Sequence, residues 1–196
     1  MIKKGLILIS FMKLNLGCGS KLLKSYTNVD KFDFYKPDIV HDLEIFPYPF
    51  EENSVDEIIL SHVLEHIGQI PETFNKIIKE LYRVCKNNSI IDIYVPHPRH
   101  DDFISDPTHV RPITPFGLNL YNKRLNKIWE KNHSSDTPLG LIHNVNFEII
   151  SVQHVLDQKY LNLLKNKKIT ERELDEYANK FNNVIKETKI KWKVIK

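Results

Sequence analysis

The chain has 196 residues, 41% of them hydrophobic and 27% charged, with a formal net charge of +3. That balance fits one folded domain with a sizeable core and excludes a disordered chain. The charge is too small to call for a polyanion, no apolar run approaches the ~20 residues of a membrane span, and Cys18 and Cys85 lack any C-x-x-C partner, which excludes a zinc ribbon and a disulfide framework.

A reduced, cytoplasmic setting is therefore expected, with neither nucleic acid nor membrane as a partner. The start bears on this. Met1 to Lys4 are basic and Gly5 to Met12 apolar, like a short export signal. Lys13 interrupts the run, no small-x-small cleavage site follows, and cleavage near Cys18 would destroy the loop described next. Residues 1–11 read as an N-terminal extension of a single domain spanning 1–196.

The organising stretch is Lys13-Leu14-Asn15-Leu16-Gly17-Cys18-Gly19-Ser20. An apolar strand, 13–17, runs into two glycines spaced one apart. Gly17 and Gly19 allow positive φ and close approach of a ligand to the backbone. In an open α/β sheet the C-terminal edge of the first strand is where such a ligand sits. The helix that should follow is abbreviated, since Ser20 to Ser25 offers less than two turns. Residues 26–30 read as a second strand closing on Asp30. Residues 37–43 read as a third, with Asp42 at its end. After a Pro-rich loop, 55–62 form a fourth strand.

From Val63 to Lys86, Phe74, Ile77, Ile78, Leu81 and Val84 recur at three- and four-residue steps, which predicts a helix with one buried stripe. Pro71 suits its first turn and Asn87-Asn88 its end. Ile90 to Val95 is a fifth strand. Residues 96–143 read as a long irregular region on the substrate side, with a short helix over 116–129. A sixth strand, 145–156, a charged helical insertion over 158–187 and a seventh strand, 188–194, complete the chain, the seventh returning antiparallel beside the sixth.

A glycine loop followed by strand-end acids resembles the class I S-adenosylmethionine-dependent methyltransferases. The most specific part is Asn53 to Ile67, similar to a small bacterial branch with a "DEI…S-HVLEHI" run, here Asp56-Glu57-Ile58 and Ser61-His62-Val63-Leu64-Glu65-His66-Ile67. Leu81 to Lys86 matches its "L-x-R-V-L-K", and Asp106-Pro107-Thr108-His109-Val110-Arg111-Pro112 its "D-P-T-H-x-R-P". The resemblance implies a Rossmann-like three-layer α/β fold, a mostly parallel seven-stranded sheet with an antiparallel last strand, and S-adenosyl-L-methionine as cofactor. It implies that Asn15, Gly17, Cys18 and Gly19 hold the methionine portion, with Asn15 in place of the usual acid. Asp30 would bind the ribose hydroxyls, and Asp42 and the Leu43 backbone the adenine. Ser61 and His62 would line the methyl-donor end. Asp30 and Asp42 could equally be turn or cap residues, and Glu65 and His66 could simply face the start of the helix.

His97 to Arg111 follows the fifth strand, so it should hang over the same sheet edge. Three readings compete. An imidazole, His109 first and His100 second, could take a proton from an acceptor, with His97, Asp106 and Arg111 binding that acceptor. His and Asp could ligate a metal, but the spacing matches no standard metal motif and no metal is assigned. Asp106 and Thr108 could merely cap turns. The expected activity is methyl transfer to a small polar molecule, a sugar or sugar-linked metabolite on the branch resemblance alone. A nicotinamide dinucleotide oxidoreductase and a non-catalytic cofactor-binding module are the alternatives. A base-modifying nucleic-acid enzyme is disfavoured because the fourth strand ends Leu60-Ser61-His62-Val63.

Overall fold

A computed structural model describes residues 11–196. All but Phe11 of the expected N-terminal extension lies outside the described residues. The sheet is built from β1 (Lys13–Leu16), β2 (Thr27–Asp30), β3 (Ile39–Val40), β4 (Val55–Ser61), β5 (Cys85–Pro96), β6 (Phe147–Leu156) and β7 (Ile185–Val194), in the order β3-β2-β1-β4-β5-β7-β6. The pairs from β3 through β5 are parallel, and β7 runs antiparallel to both β5 and β6. This is the Rossmann-like topology expected of the sequence.

Register explains which residues are apolar. One row crosses the sheet as Leu14, Ile58, Ile91 and Trp192, and the next as Leu16, Leu60, Ile93 and Ile190. Paired residues share a face, and all eight side chains are essentially buried. The helix α1 (Pro71–Val84) covers this face with Phe74, Ile77, Ile78, Leu81 and Val84, the stripe read from the sequence. Burying each such side chain contributes ~1.5–3 kcal/mol.

The other face is polar. Its rows pair Lys13 with Glu57, Ile59 with Asp92 and Lys191, and Tyr94 with Lys189. Lys13 lies 2.8 Å from Glu57, Lys191 2.8 Å from Asp92, and the Lys189 ammonium sits over the Tyr94 ring. The three-layer expectation is corrected here. Residues 17–26 form turns rather than a helix, and among the described residues no helix joins its apolar side chains to this face.

Four short helices, α2 (Asp101–Ile104), α3 (Pro115–Asn119), α4 (Lys123–Lys131) and α5 (Leu139–Ile142), occupy the stretch between β5 and β6. The single helix expected over 116–129 is split because Thr114 caps α3 and Asn122 starts α4, each side chain accepting a backbone N–H at 3.0 Å. The insertion before β7 is likewise two helices, α6 (Gln158–Lys165) and α7 (Glu171–Lys180), divided at Lys167 with φ of 54°. Thr170 and Glu173 form a capping box on α7. The pair closes on its own small core of Tyr160, Ile169 and Val184. Boundaries also move: β3 covers only Ile39–Val40 of the expected 37–43, and β7 starts at Ile185 instead of Thr188. The helix expected from Val63 starts only at Pro71, with turns over 62–70, and β5 begins directly at Cys85 instead of Ile90.

Candidate active site

The C-terminal ends of β1, β2, β3 and β4 converge on a cavity of about 420 Å³. Gly17, Gly19, Asp30, Asp42, Leu43 and His62, all expected from the sequence, line it, together with Val63, His66 and Ile67 from the turns after β4. That volume suits a molecule of nucleoside size.

The two glycines do different work. Both have positive φ, 65° and 48°. A Cβ on Gly17 would stand 2.5 Å from Val63 Cγ2, so this glycine makes room for the valine that forms the cavity floor. A Cβ on Gly19 would meet nothing within 4 Å, so this is the position where backbone lies bare to a ligand. Asp30 is fixed by backbone donors: Gly19 N–H reaches Oδ2 at 2.8 Å and Phe32 N–H reaches Oδ1 at 3.0 Å. Each oxygen keeps a lone-pair direction for a ligand hydroxyl. Asp42 Oδ1 accepts from Glu44 N–H at 2.9 Å, and the Leu43 carbonyl accepts from the buried Tyr48 hydroxyl at 2.9 Å.

Three other expected residues do not line the cavity. Asn15 is buried, and its amide nitrogen donates to the Lys21 carbonyl at 2.8 Å and to Asn28 Oδ1 at 2.9 Å, tying the loop 17–26 to β2. Cys18 is buried, and burial, then the charge of Asp30, pushes its thiol up. Ser61 ends β4, paired with Tyr94. Conversely, Phe32, Phe34 and Tyr35 line the cavity mouth, Phe34 80% exposed. The signal for them was in the sequence: three aromatics within four residues, directly after a strand-end acid.

His62 carries the only non-glycine positive φ on the cavity wall, 57°, a strained state that clusters at functional sites. Its Nδ1 lies 3.4 Å from Glu65 Oε1 and its Nε2 3.0 Å from Glu187 Oε2. The nearby Glu65 carboxylate first, against desolvation, and then Glu187 raise its pKa.

The segment after β5 divides. His109 packs beside the cavity-lining His66 without lining the cavity itself. Its ring stacks on Phe103, sits 4.5 Å from the His66 ring, and bonds the Phe103 carbonyl through Nδ1 at 2.7 Å. The Asp106–Thr108 pair bonds His66: Thr108 Oγ1 donates to Asp106 Oδ1 at 2.6 Å and meets His66 Nδ1 at 2.9 Å, while Asp106 Oδ2 stands 3.9 Å from His109 Nε2. His66, which the sequence left as a helix-start residue, is therefore on the wall with both its neighbours in place.

The remaining three face elsewhere. His100 is buried against Asp157 at 3.6 Å and lines a separate cavity of about 500 Å³ beside α6. His97 packs edge-on to His154, and burial, then His154 and Arg99, lower its pKa. Arg111 donates to the Gly68 carbonyl and stacks over the Phe74 ring at 4.1 Å.

A nicotinamide dinucleotide would need a helix N-terminus after the glycines for its pyrophosphate. Residues 17–26 form turns instead, so that alternative loses its main contact. The donors present, two strand-end carboxylates, a bare glycine backbone and an aromatic mouth, fit an adenosine carrying a short amino-acid chain.

Residues 14–93 match a family profile described as a methyltransferase domain. Comparison with curated protein sequences gives no match. Among solved structures, a SAM dependent methyltransferase from Archaeoglobus fulgidus is similar with a TM-score of 0.61 at 20% identity, covering 93% of this chain and 86% of that one. An S-adenosylmethionine dependent methyltransferase from Mesorhizobium loti gives 0.50 at 14% identity, covering 93% and 90%. Phosphoethanolamine N-methyltransferase 2 of Haemonchus contortus, solved in complex with S-adenosyl-L-methionine, gives 0.50 at 13%, covering 94% of this chain and 48% of that one. At these identities the likeness is one of fold.

Proposed function

We propose that this chain, an S-adenosyl-L-methionine-dependent methyltransferase, methylates a small polar acceptor held at the wall made by His62, His66 and His109. The acceptor class is a sugar or other polyhydroxylated metabolite. The observation that supports this reading is the packing of two histidine segments, one after β4 and one after β5: His66 lines the cavity, and the His109 ring, not itself a lining residue, lies 4.5 Å from it.

The cofactor supplies a methyl group on a sulfonium that needs no further activation, so the protein's work is positioning and exclusion of water. Asp30 would accept from the ribose hydroxyls, with Gly19 beside it. Asp42 and Leu43 would take the base end, and Phe34 and Tyr35 would shield it. Gly17 and Val63 would floor the methionine chain. On the acceptor side, Nδ1 of His66 and of His109 is already bonded, which leaves the two Nε2 atoms to act on an acceptor O–H. His97, His100, Asp106 and Arg111 play no direct part in this reading; Asp106 acts through Thr108 on His66.

The test is cofactor binding followed by an acceptor screen. S-adenosylhomocysteine should bind by calorimetry, and a panel of sugars and polyols should reveal turnover by its release. His109→Ala should then lower kcat by ~10²–10⁴-fold with cofactor affinity essentially intact. Full activity in that variant would remove His109 from the acceptor wall.

A further inference from the structure

Among the described residues, Glu65 has both carboxylate oxygens buried and without a hydrogen-bond partner. The residue as a whole is fully buried. Its nearest companion is the His62 ring at 3.4 Å. Buried charges are paired, or they coordinate metals.

Beside it stand His66 and His109, and their tautomers can be read from their bonds. The Phe103 carbonyl can only accept, so His109 Nδ1 carries the proton. The Thr108 hydroxyl donates its one O–H to Asp106, so it accepts from His66 Nδ1. Both Nε2 atoms therefore keep a lone pair, that of His109 with Asp106 Oδ2 3.9 Å away. One ligand atom from each of Glu65, His66 and His109 lies within 4.8 Å of the other two.

We propose that Glu65, His66 and His109 bind a divalent first-row transition metal ion at the acceptor edge of the cavity. Two imidazoles and one carboxylate on one side of an ion leave open coordination positions, and His66 lines the cavity, so those positions face it. Ligand bonds of ~2.0–2.2 Å would bring the donors to roughly 3–3.5 Å apart, a closure of at most roughly 1.3–1.8 Å. The outer partners are in place: the Phe103 carbonyl on one ring, the Thr108–Asp106 relay on the other. A donor set of nitrogen and oxygen without thiolate suits Mn²⁺, Fe²⁺, Co²⁺ or Zn²⁺. No metal spacing is visible in the sequence because the ligands come from two segments, and the parallel pairing of β4 with β5 brings their ends together.

The role of the ion rests on the methyltransferase reading. An acceptor oxygen entering an open position would be held and made more acidic, so the two Nε2 atoms would act through the ion rather than on the proton directly. This narrows the acceptor to one with an oxygen ligand, most simply adjacent hydroxyls.

Chelator-treated protein titrated with Mn²⁺ by calorimetry should take up one ion per chain. Loading with Co²⁺ should give visible d–d absorption. Glu65→Gln and His109→Asn should each weaken Mn²⁺ binding at least tenfold, while His100→Asn, whose ring faces the other cavity, should not change it. S-adenosylhomocysteine binding, measured on the same samples, reports folding and tests the methyltransferase reading separately. Failure of that binding in the wild type would sink the methyltransferase reading and leave the metal titration to be judged alone. The metal site is overturned if wild-type protein takes up no stoichiometric Mn²⁺, or if both variants bind it like wild type. Should Glu65→Gln fail to fold, His109→Asn and the Co²⁺ spectrum decide.

Discussion

Gly17→Ala should destabilise the protein far more than Gly19→Ala, although the two glycines are one residue apart and both have positive φ. The left-handed conformation costs an alanine ~1–2 kcal/mol at either site. At position 19 that is the whole cost, because the added methyl meets nothing within 4 Å. At position 17 the methyl would sit 2.5 Å from Val63 Cγ2 and 3.0 Å from Cγ1. Val63 is buried on the cavity floor and cannot simply swing out. Overpacking of this kind adds ~1–3 kcal/mol, for a total of ~2–5 kcal/mol. In a chain of this length that lowers Tm by roughly 4–20 °C.

Urea denaturation of the two variants measures the difference, and a double-mutant cycle locates it. In a Val63→Ala background the methyl has room, so the cost of Gly17→Ala should fall back to ~1–2 kcal/mol, the price of φ alone. Affinity for S-adenosylhomocysteine should show the opposite order at position 19, where a methyl occupies backbone reserved for the ligand. Equal destabilisation by the two alanines, or the same cost of Gly17→Ala with and without Val63, would refute the reasoning.

Asp30→Ala should weaken S-adenosyl-L-methionine binding by ~1.5–3 kcal/mol, the range for hydrogen bonds to a charged group; unchanged affinity by calorimetry would remove Asp30 from the site. Arg111→Met should destabilise the fold by ~1.5–3 kcal/mol through loss of its bond to the Gly68 carbonyl, yet leave cofactor affinity alone, since Arg111 does not line the cavity; a selective loss of affinity would contradict this placement. Burial holds His154, and burial with His154 and Arg99 holds His97, below the usual imidazole value. Both rings enter the fold neutral, so their stabilising contribution is complete above pH ~6.5 and is lost as pH falls through the lowered folded values. The fall in Tm from pH 7 to pH 5 should therefore be shallower in the His97→Gln, His154→Gln double variant, and parallel curves would rule this out.

The sheet was readable because its chemistry is local. Leu14 and Leu16, Ile58 and Leu60, and Ile91 and Ile93 alternate strongly enough to place three strands, and strand-end position alone picked out Asp30 and Asp42. The helix stripe from Phe74 to Val84 was equally plain. The start of that helix was not, because Val63, Leu64 and Ile67 continue an apolar pattern that the structure uses in turns. The early start of β5 was hidden by Asn87 and Asn88, whose polarity suggests a break, while Ser89 Oγ bonds the Val55 carbonyl at 2.7 Å and holds the strand in register. Within the site, the histidines between 97 and 109 look alike in sequence. What separates His109 from His97 and His100 is which neighbour each ring meets across the fold, and that depends on residues far away, such as Asp157 and His154. Glu65 reads in sequence as a residue facing the helix start for the same reason: burial without a partner is a property of the surroundings.

The placement of β7 fixes an order of events during synthesis. It lies between β5 and β6, and the bonded pair Lys191–Asp92 spans 99 residues. Until those residues emerge, β5 presents an open edge with Ile91 and Ile93 beside it, and β6 has nothing to pair with. Ile190, Trp192 and Val194 then enter the core together, Trp192 stacking on Phe147 at 3.8 Å. Such long-range closure is slow, and an unpaired edge invites contact between nascent chains. Ribosome-bound chains that stop short of β7 should be the species a holding chaperone finds.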